Sequence, residues 1–469
     1  MKLYIFTEGS IDIGFGHITR CIALYRQFEQ KGWSPKLIIR GDQTILSLVT
    51  NVNHSFADWL NPTVLEQYLS KKIDIAIIDS YLADKIVYEK ISRSANLTVY
   101  LDDNNRFDYP KGIVVNGNIY ASLLPYKKKN CQEYLLGTFF TLLRNEFVNV
   151  LEKVIQKNIH NILIMFGGDD NHNMTPKVLN MLNKQYPKLK KVVIIGAGFQ
   201  HAQELLCDQD KNILCVSNPS ASHIKELMIN ADIAISGGGQ TLYELARTGT
   251  PTIGVVVADN QTNNVRELAK QGIIMNVGEW NDETIIENIM RSIPLVSSLG
   301  KRTTMSRLGQ KCVDGNGAYR AASKIVSYYI KNNLHMRKAV LSDEKQILDL
   351  SNDTTIRMSS FQTKPITENE HSKWFKEKLS DKYCLYVVAV LKEIIVGQLR
   401  FDIKNTEATI SMSVHPQYQG YSIGSKLFEK GVETLRREYA FIQTIVALIK
   451  KENQASQLFF KKIGFSQKK

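Results

Sequence analysis

Two glycine-containing segments, far apart in the chain, have residue types that could bind phosphate groups or transfer a proton. Residues 14–20 read GFGHITR, so Gly14 and Gly16 precede His17 at the start of a predicted helix. Residues 419–425 read QGYSIGS. Glycines let the backbone approach a ligand closely, and the start of a helix presents unpaired N–H groups to an anion. The two segments predict two ligand sites of different chemistry.

The first segment suits general-base chemistry at His17. The positive end of a helix dipole favours a phosphate or a developing oxyanion and disfavours an imidazolium, so the ring stays able to accept a proton. A glycine-rich turn between a strand and a helix is equally compatible with a histidine that caps its own helix. The segment therefore indicates a proton acceptor without excluding a capping role.

Two further glycine-rich segments follow predicted strands. Residues 166–170 read FGGDD and residues 236–244 read SGGGQTLYE. In open α/β sheets, ligands bind outside the carboxyl ends of the strands, so these segments predict a nucleotide-sugar cleft. Glu244 could accept hydrogen bonds from two ribose hydroxyls, or it could simply be a first-turn carboxylate favoured by the helix dipole. The residues predicted to bind the nucleotide sugar are Gly14, Gly16, Gly168, Gly238, Gln240, Thr241 and Glu244.

The pattern of apolar residues predicts an α/β protein of three domains. Buried strands alternate with helices in two sets, separated by a linker near residues 141–157, which predicts two Rossmann-like halves over residues 1–145 and 146–332. From residue 337 the order changes to β-α-α, three strands, a helix, a strand and a short helix, which predicts a third domain over residues 337–469. The predicted strands of the two halves are 3–6, 36–39, 73–78, 97–101 and 112–115, then 161–166, 191–195, 212–216, 232–236 and 252–257.

Composition narrows the classes of function. The chain has no apolar run near the roughly 20 residues of a membrane span, and its start is too short in apolar residues for a signal peptide. Its six cysteines form no CxxC pair, which favours reduced thiols in the cytoplasm and predicts no metal site. The net charge of +13 is scattered and suits anionic small ligands, so no nucleic-acid or membrane partner is expected. The oligomeric state is not indicated.

The joint order of seven segments over residues 1–330 resembles one family. These segments are residues 14–17, 77–81, 101–103, 116–118, 143–147, 166–169 and 259–261. The family is the UDP-2,4-diacetamido-2,4,6-trideoxy-β-L-altropyranose hydrolases of pseudaminic acid biosynthesis, which is similar to the two-domain glycosyltransferases of the GT-B fold.

The resemblance implies that water attacks the anomeric carbon, the C–O bond breaks and UDP leaves. It implies that His17 is the proton acceptor and that Tyr81 and Asn260 support it in the active site. Without the resemblance, Tyr81 could pack over a strand end and Asn260 could cap the helix over residues 261–271.

Residues 419–424 resemble the phosphate-binding loop, Q/R-x-x-G-x-G/A, of the GNAT family of N-acetyltransferases. Gln419 and Gly424 fill the outer positions, and Ser422 stands where the middle glycine is usual. The resemblance implies acetyl-CoA as co-substrate. The residues implied to contact it are Val414, Gln419, Gly420, Ser422, Gly424, Ser425 and Asn453. Phe460 occupies the place of a tyrosine that commonly protonates the departing thiolate.

The acceptor side of this third domain is less defined. Residues 357–361 and 366–375 resemble the acceptor-side region of acetyltransferases that act on amino-sugar nucleotides. His371 and Trp374 share a helical face and could contact the acceptor or belong to the core. The general base is not identified among its candidates. These candidates are Glu407, Ser411, Ser413 and His415.

The sequence therefore predicts a bifunctional enzyme of pseudaminic acid (nonulosonic acid) biosynthesis. The third domain would acetylate the 4-amino group of a UDP-linked trideoxy sugar with acetyl-CoA, and the first two domains would then remove UDP. The alternative is a UDP-sugar glycosyltransferase with a non-catalytic CoA-binding domain at its carboxyl end. A third possibility, a nucleic-acid-binding protein, is disfavoured by the scattered charge.

Overall fold

The computed structural model describes residues 1–10, 13–127, 132–196, 198–199 and 211–467. The chain divides into two compact units, Met1–Ile325 and Val326–Lys469. The first unit contains two parallel sheets and the second contains one mixed sheet. The predicted class, two Rossmann-like halves followed by a third α/β domain, is confirmed. Two of the six cysteines, Cys131 and Cys207, lie outside the described residues.

The first half is a seven-stranded sheet of order β3-β2-β1-β4-β5-β6-β7. Its strands are β1 Leu3–Gly9, β2 Pro35–Gly41, β3 His54–Phe56, β4 Ile73–Asp79, β5 Ala95–Leu101, β6 Gly112–Asn116 and β7 Gln132–Leu136, and its helices are α1 Gly16–Gln30, α2 Leu46–Val49, α3 Pro62–Leu69 and α4 Lys85–Ser94. Every residue of β4 is buried, as expected for a parallel strand covered on both faces. The strand order reverses between β1 and β4, and in such sheets this point opens a crevice for ligands.

The second half repeats this plan with the order β10-β9-β8-β11-β12-β13. Its strands are β8 Asn161–Met165, β9 Lys190–Ile195, β10 Ile213–Ser217, β11 Ile233–Gly237, β12 Thr252–Val256 and β13 Ile274–Glu279. Its helices are α5 Met174–Gln185, α6 Ala221–Asn230, α7 Thr241–Thr248, α8 Thr262–Lys270, α9 Ile285–Ser297, α10 Leu299–Cys312 and α11 Gly317–Asn333, which runs across the unit boundary. Two apolar clusters pack around this sheet, and the order reverses between β8 and β11.

The second unit is built on a five-stranded sheet of order β14-β15-β16-β17-β18. Its strands are β14 Leu334–Lys338, β15 Cys384–Leu391, β16 Ile394–Lys404, β17 Glu407–Val414 and β18 Thr444–Ala447, and its helices are α12 Glu344–Asn352, α13 Thr354–Ser359, α14 Glu368–Ser380, α15 Ile423–Glu438 and α16 Gln454–Lys462. The strands are antiparallel except for β17 and β18, which pair in parallel only over Glu407–Ile410. The end of β17 therefore continues past its β18 partner.

None of the helices in the described part of the chain has the length and apolar character needed to cross a membrane.

Candidate functional site

A cavity of about 250 Å³ lies between the two sheets of the first unit. Its walls come from the segments that follow β1, β4, β5 and β6 in the first half and β11 and β12 in the second half. Both strands at the first sheet's switch point, β1 and β4, and one strand at the second sheet's, β11, thus lead to one space. The predicted residues that line it are Gly16, His17, Tyr81, Gln240 and Asn260.

His17 lies in the first turn of α1, and its imidazole is bound to a buried carboxylate. The helix has Phe15 at its N-cap position without a side-chain capping bond, so His17 does not cap its own helix. Its Nδ1 lies 2.6 Å from Oδ1 of Asp79, the last residue of β4, which is 0% exposed. Because an ionised carboxylate can only accept, Nδ1 carries the proton, and in the neutral ring Nε2 is left as the acceptor.

Asp79 stays ionised because a guanidinium lies beside it. Burial by itself would raise the pKa of the Asp79 carboxyl, but Arg20 and His17 outweigh burial and hold that pKa well below its usual range. Arg20 donates from Nε and Nη2 to the two Asp79 oxygens at 2.7 and 2.6 Å. The same guanidinium donates from Nη1 to both oxygens of Asp103 at 2.8 Å. Arg20 therefore joins two carboxylates next to His17.

Tyr81 is held over the imidazole by the loop that follows β4. The buried Glu8 carboxylate accepts the Tyr81 N–H at 2.6 Å and so fixes this loop. The Tyr81 hydroxyl donates to Oδ2 of Asp103 at 2.5 Å, and the ring meets His17 edge to face with centroids 4.5 Å apart. Burial and the Asp103 charge raise the pKa of the Tyr81 phenol. Tyr81 therefore contacts the charged cluster, which is more than packing over a strand end.

The second half contributes amide side chains to the cavity. Asn260 is exposed and lies in the 3₁₀ turn Asp259–Gln261, while Gln261 is the N-cap residue of α8. The alternative in which Asn260 caps this helix is therefore not what the structure shows. Gln240 donates from Nε2 to the Leu142 carbonyl at 2.7 Å, which ties the second half to the segment that joins the halves.

Two predicted UDP-binding residues have other partners. Glu244 is 4% exposed, and its two oxygens accept from Nε and Nη2 of Arg144 at 2.9 and 2.8 Å. The Gly238 N–H donates to Oε1 of Gln261 at 2.8 Å. Neither residue is among the described residues that line the cavity. Glu244 and Gly238 thus have partners within the protein, and their contacts with ribose and phosphate stay predictions.

The other predicted glycines shape the cleft. Gly14 has φ +86°, and its N–H donates to the Ser10 carbonyl at 2.8 Å, just before α1. A Cβ at Gly168 would lie 2.6 Å from the Phe15 ring, so the two halves meet closely at this point. Thr241 is the first residue of α7.

In the second unit, the predicted acetyl-CoA loop has backbone suited to an anion. Gly420 and Ser422 both have positive φ, +83° and +60°. Ser422 is the N-cap residue of α15 and makes no side-chain capping bond, and no acidic residue lies in the first turn. The unpaired N–H groups of this helix start, around Gly424 and Ser425, are therefore open to a phosphate.

Two other residues predicted to contact CoA, Gln419 and Asn453, make hydrogen bonds within the protein. Gln419 donates from Nε2 to the Val414 carbonyl at 3.0 Å, at the end of β17. Asn453 caps α16 by accepting the Ser456 N–H at 3.0 Å, so its side-chain oxygen already has one partner. Phe460 is buried and packs edge to face against Phe465, with centroids 4.9 Å apart.

On the acceptor side, His371 lies in the core. It is 1% exposed and stacks on Phe375 with centroids 5.5 Å apart, and neither ring nitrogen has a hydrogen-bond partner among the residues that the structure describes. Ser413, a candidate base, accepts a bond from Nε2 of Gln398 at 3.1 Å.

Within the described ranges, no cluster of three or more His, Cys, Asp or Glu side chains could hold a metal ion.

The sequence predicts a role for His17, Tyr81 and Asn260, and all three line the cavity. It predicts no role for Asp79, Arg20 or Asp103. Asp79 and Asp103 stand inside the segments that carried the family resemblance, and Arg20 closes the first glycine-containing segment. In the sequence, Asp79 and Asp103 are charged residues at the ends of two strands, and Arg20 lies one turn along α1. Their contact with one another depends on the order of the strands in the sheet.

Two family models match the chain. Residues 148–307 match the glycosyltransferase family 28 C-terminal domain, and residues 346–465 match the acetyltransferase (GNAT) family. The second unit therefore carries a GNAT domain.

Several known proteins are similar to this chain. An uncharacterised protein of Methanocaldococcus jannaschii is 26% identical over 266 residues, covering 54% of this chain and 55% of the relative. The spore coat polysaccharide biosynthesis protein SpsG of Bacillus subtilis is 25% identical, covering 70% of this chain and 99% of the relative. The pseudaminic acid cytidylyltransferase and UDP-2,4-diacetamido-2,4,6-trideoxy-β-L-altropyranose hydrolase of Helicobacter pylori is 23% identical, covering 58% and 48%.

The chain thus spans about half the length of the archaeal and Helicobacter relatives and nearly all of the Bacillus one. Among solved structures, MurG of Acinetobacter baumannii is 16% identical with a TM-score of 0.49, covering 70% of this chain and 99% of MurG. The chain therefore joins a segment similar to named UDP-sugar hydrolases to a GNAT domain.

Proposed function

We propose that this chain is a bifunctional enzyme that acetylates and then hydrolyses a UDP-linked amino sugar. The substrate of the hydrolysis is UDP-2,4-diacetamido-2,4,6-trideoxy-β-L-altropyranose, as in the name of the Helicobacter relative. The observation that carries the proposal is an imidazole whose Nδ1 is committed to Asp79 and whose ring lines the cavity between two Rossmann-like halves.

In the hydrolysis, His17 accepts a proton from water through Nε2 while the water oxygen bonds to C1 of the sugar. The bond from C1 to the phosphate oxygen breaks, and its electron pair leaves with UDP. The start of α1 and the amide side chains of Gln240 and Asn260 favour the charge that develops on the leaving group. Neither paired glycosidase carboxylates nor a metal ion is required, because UDP is already a good leaving group.

In the acetyl transfer, the 4-amino group of the precursor UDP-sugar attacks the thioester of acetyl-CoA. Gly420, Ser422 and the start of α15 offer backbone N–H groups to the pyrophosphate. The GNAT match and the positive φ values of this loop support the assignment. Because Phe460 has no proton to donate, the departing thiolate takes its proton from water or another group.

The decisive experiment supplies the full-length protein with UDP-4-amino-4,6-dideoxy-N-acetyl-β-L-altrosamine and acetyl-CoA and follows the products by mass spectrometry. We expect an acetylated sugar free of UDP. Retention of the amine would contradict the transferase, and an intact UDP linkage would contradict the hydrolase. His17→Gln is the matched control, since it should retain acetylation and lose UDP release.

A second candidate is a UDP-sugar glycosyltransferase with a non-catalytic CoA-binding domain. The family 28 match over residues 148–307 and the buried Phe460 favour it. The two functions separate in a simple incubation, because a transferase releases little UDP from its donor without an acceptor, whereas a hydrolase releases it in water alone.

A further inference from the structure

We propose that Asp79 and Asp103 are positioning residues that make His17 and Tyr81 a pair of hydrogen-bond acceptors for one water molecule. The inference rests on the proposed hydrolysis and explains how the attacking water is oriented. It assigns a role to the cluster of Arg20, Asp79 and Asp103, which neither the motif nor the comparisons explain.

The first acceptor follows from the bond between His17 and Asp79. The distance of 2.6 Å from Nδ1 to a fully buried carboxylate oxygen commits the ring proton to Nδ1. Arg20 donates two further bonds to Asp79 and keeps it anionic. The other ring nitrogen, Nε2, is then unprotonated in the neutral ring and can only accept.

The second acceptor follows from the bond between Tyr81 and Asp103. The phenol has one proton and donates it to Oδ2 of Asp103. Asp103 also accepts from Arg20 and, at Oδ1, from Nδ2 of Asn118 at 2.7 Å. Burial alone would raise the pKa of the Asp103 carboxyl, but Arg20 and the Tyr81 hydroxyl lower it, so this carboxylate also stays anionic. The phenolic oxygen is left with lone pairs only.

Both acceptors line the same cavity, and their rings are in edge-to-face contact. A water molecule that donates one proton to Nε2 and the other to the phenolic oxygen has its remaining lone pairs free for C1. When the O–C1 bond forms, the proton moves to Nε2 and the C1–phosphate bond breaks with its electrons on UDP. The imidazolium later returns this proton to solvent. If Nε2 or the phenolic oxygen donated a proton to the water instead, that bond would occupy a lone pair of the water oxygen that must attack C1.

The test uses Asp79→Asn and Asp103→Asn in the full-length protein. The amide introduced by Asp79→Asn can donate to Nδ1 and move the ring proton to Nε2. In Asp103→Asn the amide oxygen is expected where Arg20 and Asn118 both donate, so the amide nitrogen faces Tyr81 and turns its hydroxyl towards the cavity. Each substitution should lower kcat by about 10²–10⁴-fold, the range typical of general-base catalysis, while KM for the UDP-sugar changes little.

Asp74→Asn is the matched control. Asp74 is a buried aspartate at the opposite end of the same strand, where it accepts the Lys2 N–H at 2.6 Å. It should leave kcat unchanged. Thermal unfolding of each variant shows whether it is folded.

The histidine tautomer gives a readout that a purely structural role would not change. Nitrogen-15 NMR of protein labelled at its nine histidines, with the His17 signals identified by their loss in His17→Gln, should show the Nδ1–H form in the wild type and the Nε2–H form in Asp79→Asn. The wild-type spectrum needs no substrate, so it stands apart from failure of the proposed hydrolysis. An Nε2–H wild type, or a folded Asp79→Asn or Asp103→Asn variant with normal kcat, would overturn the inference. If one variant does not fold, the other variant and the wild-type spectrum decide.

Discussion

At the residue scale, Ser422 adopts a backbone conformation that glycine would adopt more easily. Its φ of +60° and ψ of 16° lie in the left-handed region, which costs an ordinary L-residue stability because Cβ crowds the following carbonyl. The position is also the one where the GNAT loop usually has glycine.

We expect Ser422→Gly to raise the free energy of unfolding of the second unit by about 0.5–1 kcal/mol, since relief of the left-handed strain exceeds the added entropy of the unfolded chain. Denaturant unfolding measures this change. Ser422→Ala is the control, because it keeps Cβ and should give no gain. Equal stabilities of the two variants would show that φ is not strained at this position.

His371 makes the stability of the second unit depend on pH. Burial lowers the pKa of its imidazole, although the Glu344 carboxylate acts in the opposite direction. The unfolded chain, with a histidine pKa near 6.5, then binds a proton more readily than the folded unit. Stability from this group is complete above about pH 6.5 and is lost as the pH falls towards the lowered value in the folded state.

We expect His371→Phe, which retains a ring against Phe375, to flatten the decline in stability between about pH 7 and 5.5. The measurement is the free energy of unfolding at several pH values. His335→Gln, at an exposed histidine on β14, should leave the decline as it is in the wild type. A decline that persists in His371→Phe would mean that other groups cause it.

At the scale of elements, strand order explains what the sequence could and could not predict. The alternation of strands and helices, and the glycine-rich strand ends, were sufficient to predict two Rossmann-like halves and to place His17 at a helix start. Asp79 reaches His17 because β4 pairs directly with β1, although 62 residues separate the two in the chain. No local pattern contains that pairing, so the charged cluster could not be predicted from spacing.

Glu244 is a second residue whose partner in the structure could not be predicted from the sequence. A carboxylate in the first turn of a helix fits a ribose contact and a dipole contact equally well. Its actual partner, Arg144, lies 100 residues earlier in the segment that joins the halves. The donor that the structure shows at this carboxylate belongs to the protein, and a ribose contact stays a prediction.

The start of α11 is packed so closely that only glycine fits. A Cβ at Gly317 would lie 2.2 Å from the Thr141 carbonyl oxygen, which is backbone and cannot move aside alone. The next residue of this joining segment, Leu142, lines the cavity. We expect Gly317→Ala to cost about 1–3 kcal/mol of stability, as overpacking does, and to slow UDP release.

Gly300→Ala is the matched control in the neighbouring helix α10. A Cβ there meets no atom within 4 Å, so alanine should instead stabilise by about 0.5–1 kcal/mol through its helix propensity. Urea unfolding and UDP release measured on both variants test the pair. If the Gly317→Ala and Gly300→Ala proteins were equally stable, the segment that joins the two halves would accommodate the added Cβ at little cost in stability.

At the scale of the whole molecule, the two proposed reactions draw on different units. The cavity residues all lie within Met1–Ile325, and the predicted acetyl-CoA loop lies within Val326–Lys469. The order of reactions follows from the substrates, because the named hydrolase relative acts on a sugar that already has both acetamido groups. Acetylation must therefore precede loss of UDP on the proposed substrate.

Reciprocal variants should separate the two activities. Given the amine-bearing UDP-sugar and acetyl-CoA, His17→Gln should accumulate the acetylated sugar still linked to UDP. Gly424→Asp adds a negative charge at the helix start and a Cβ 3.3 Å from the Phe459 ring, so it should lose acetyl transfer and return the amine. Given the diacetamido UDP-sugar, Gly424→Asp should release UDP at the wild-type rate. Mass spectrometry of all three mixtures gives the result. If Gly424→Asp remained folded but failed on the acetylated substrate, hydrolysis would depend on the GNAT loop, and the assignment of each reaction to its own unit would be wrong.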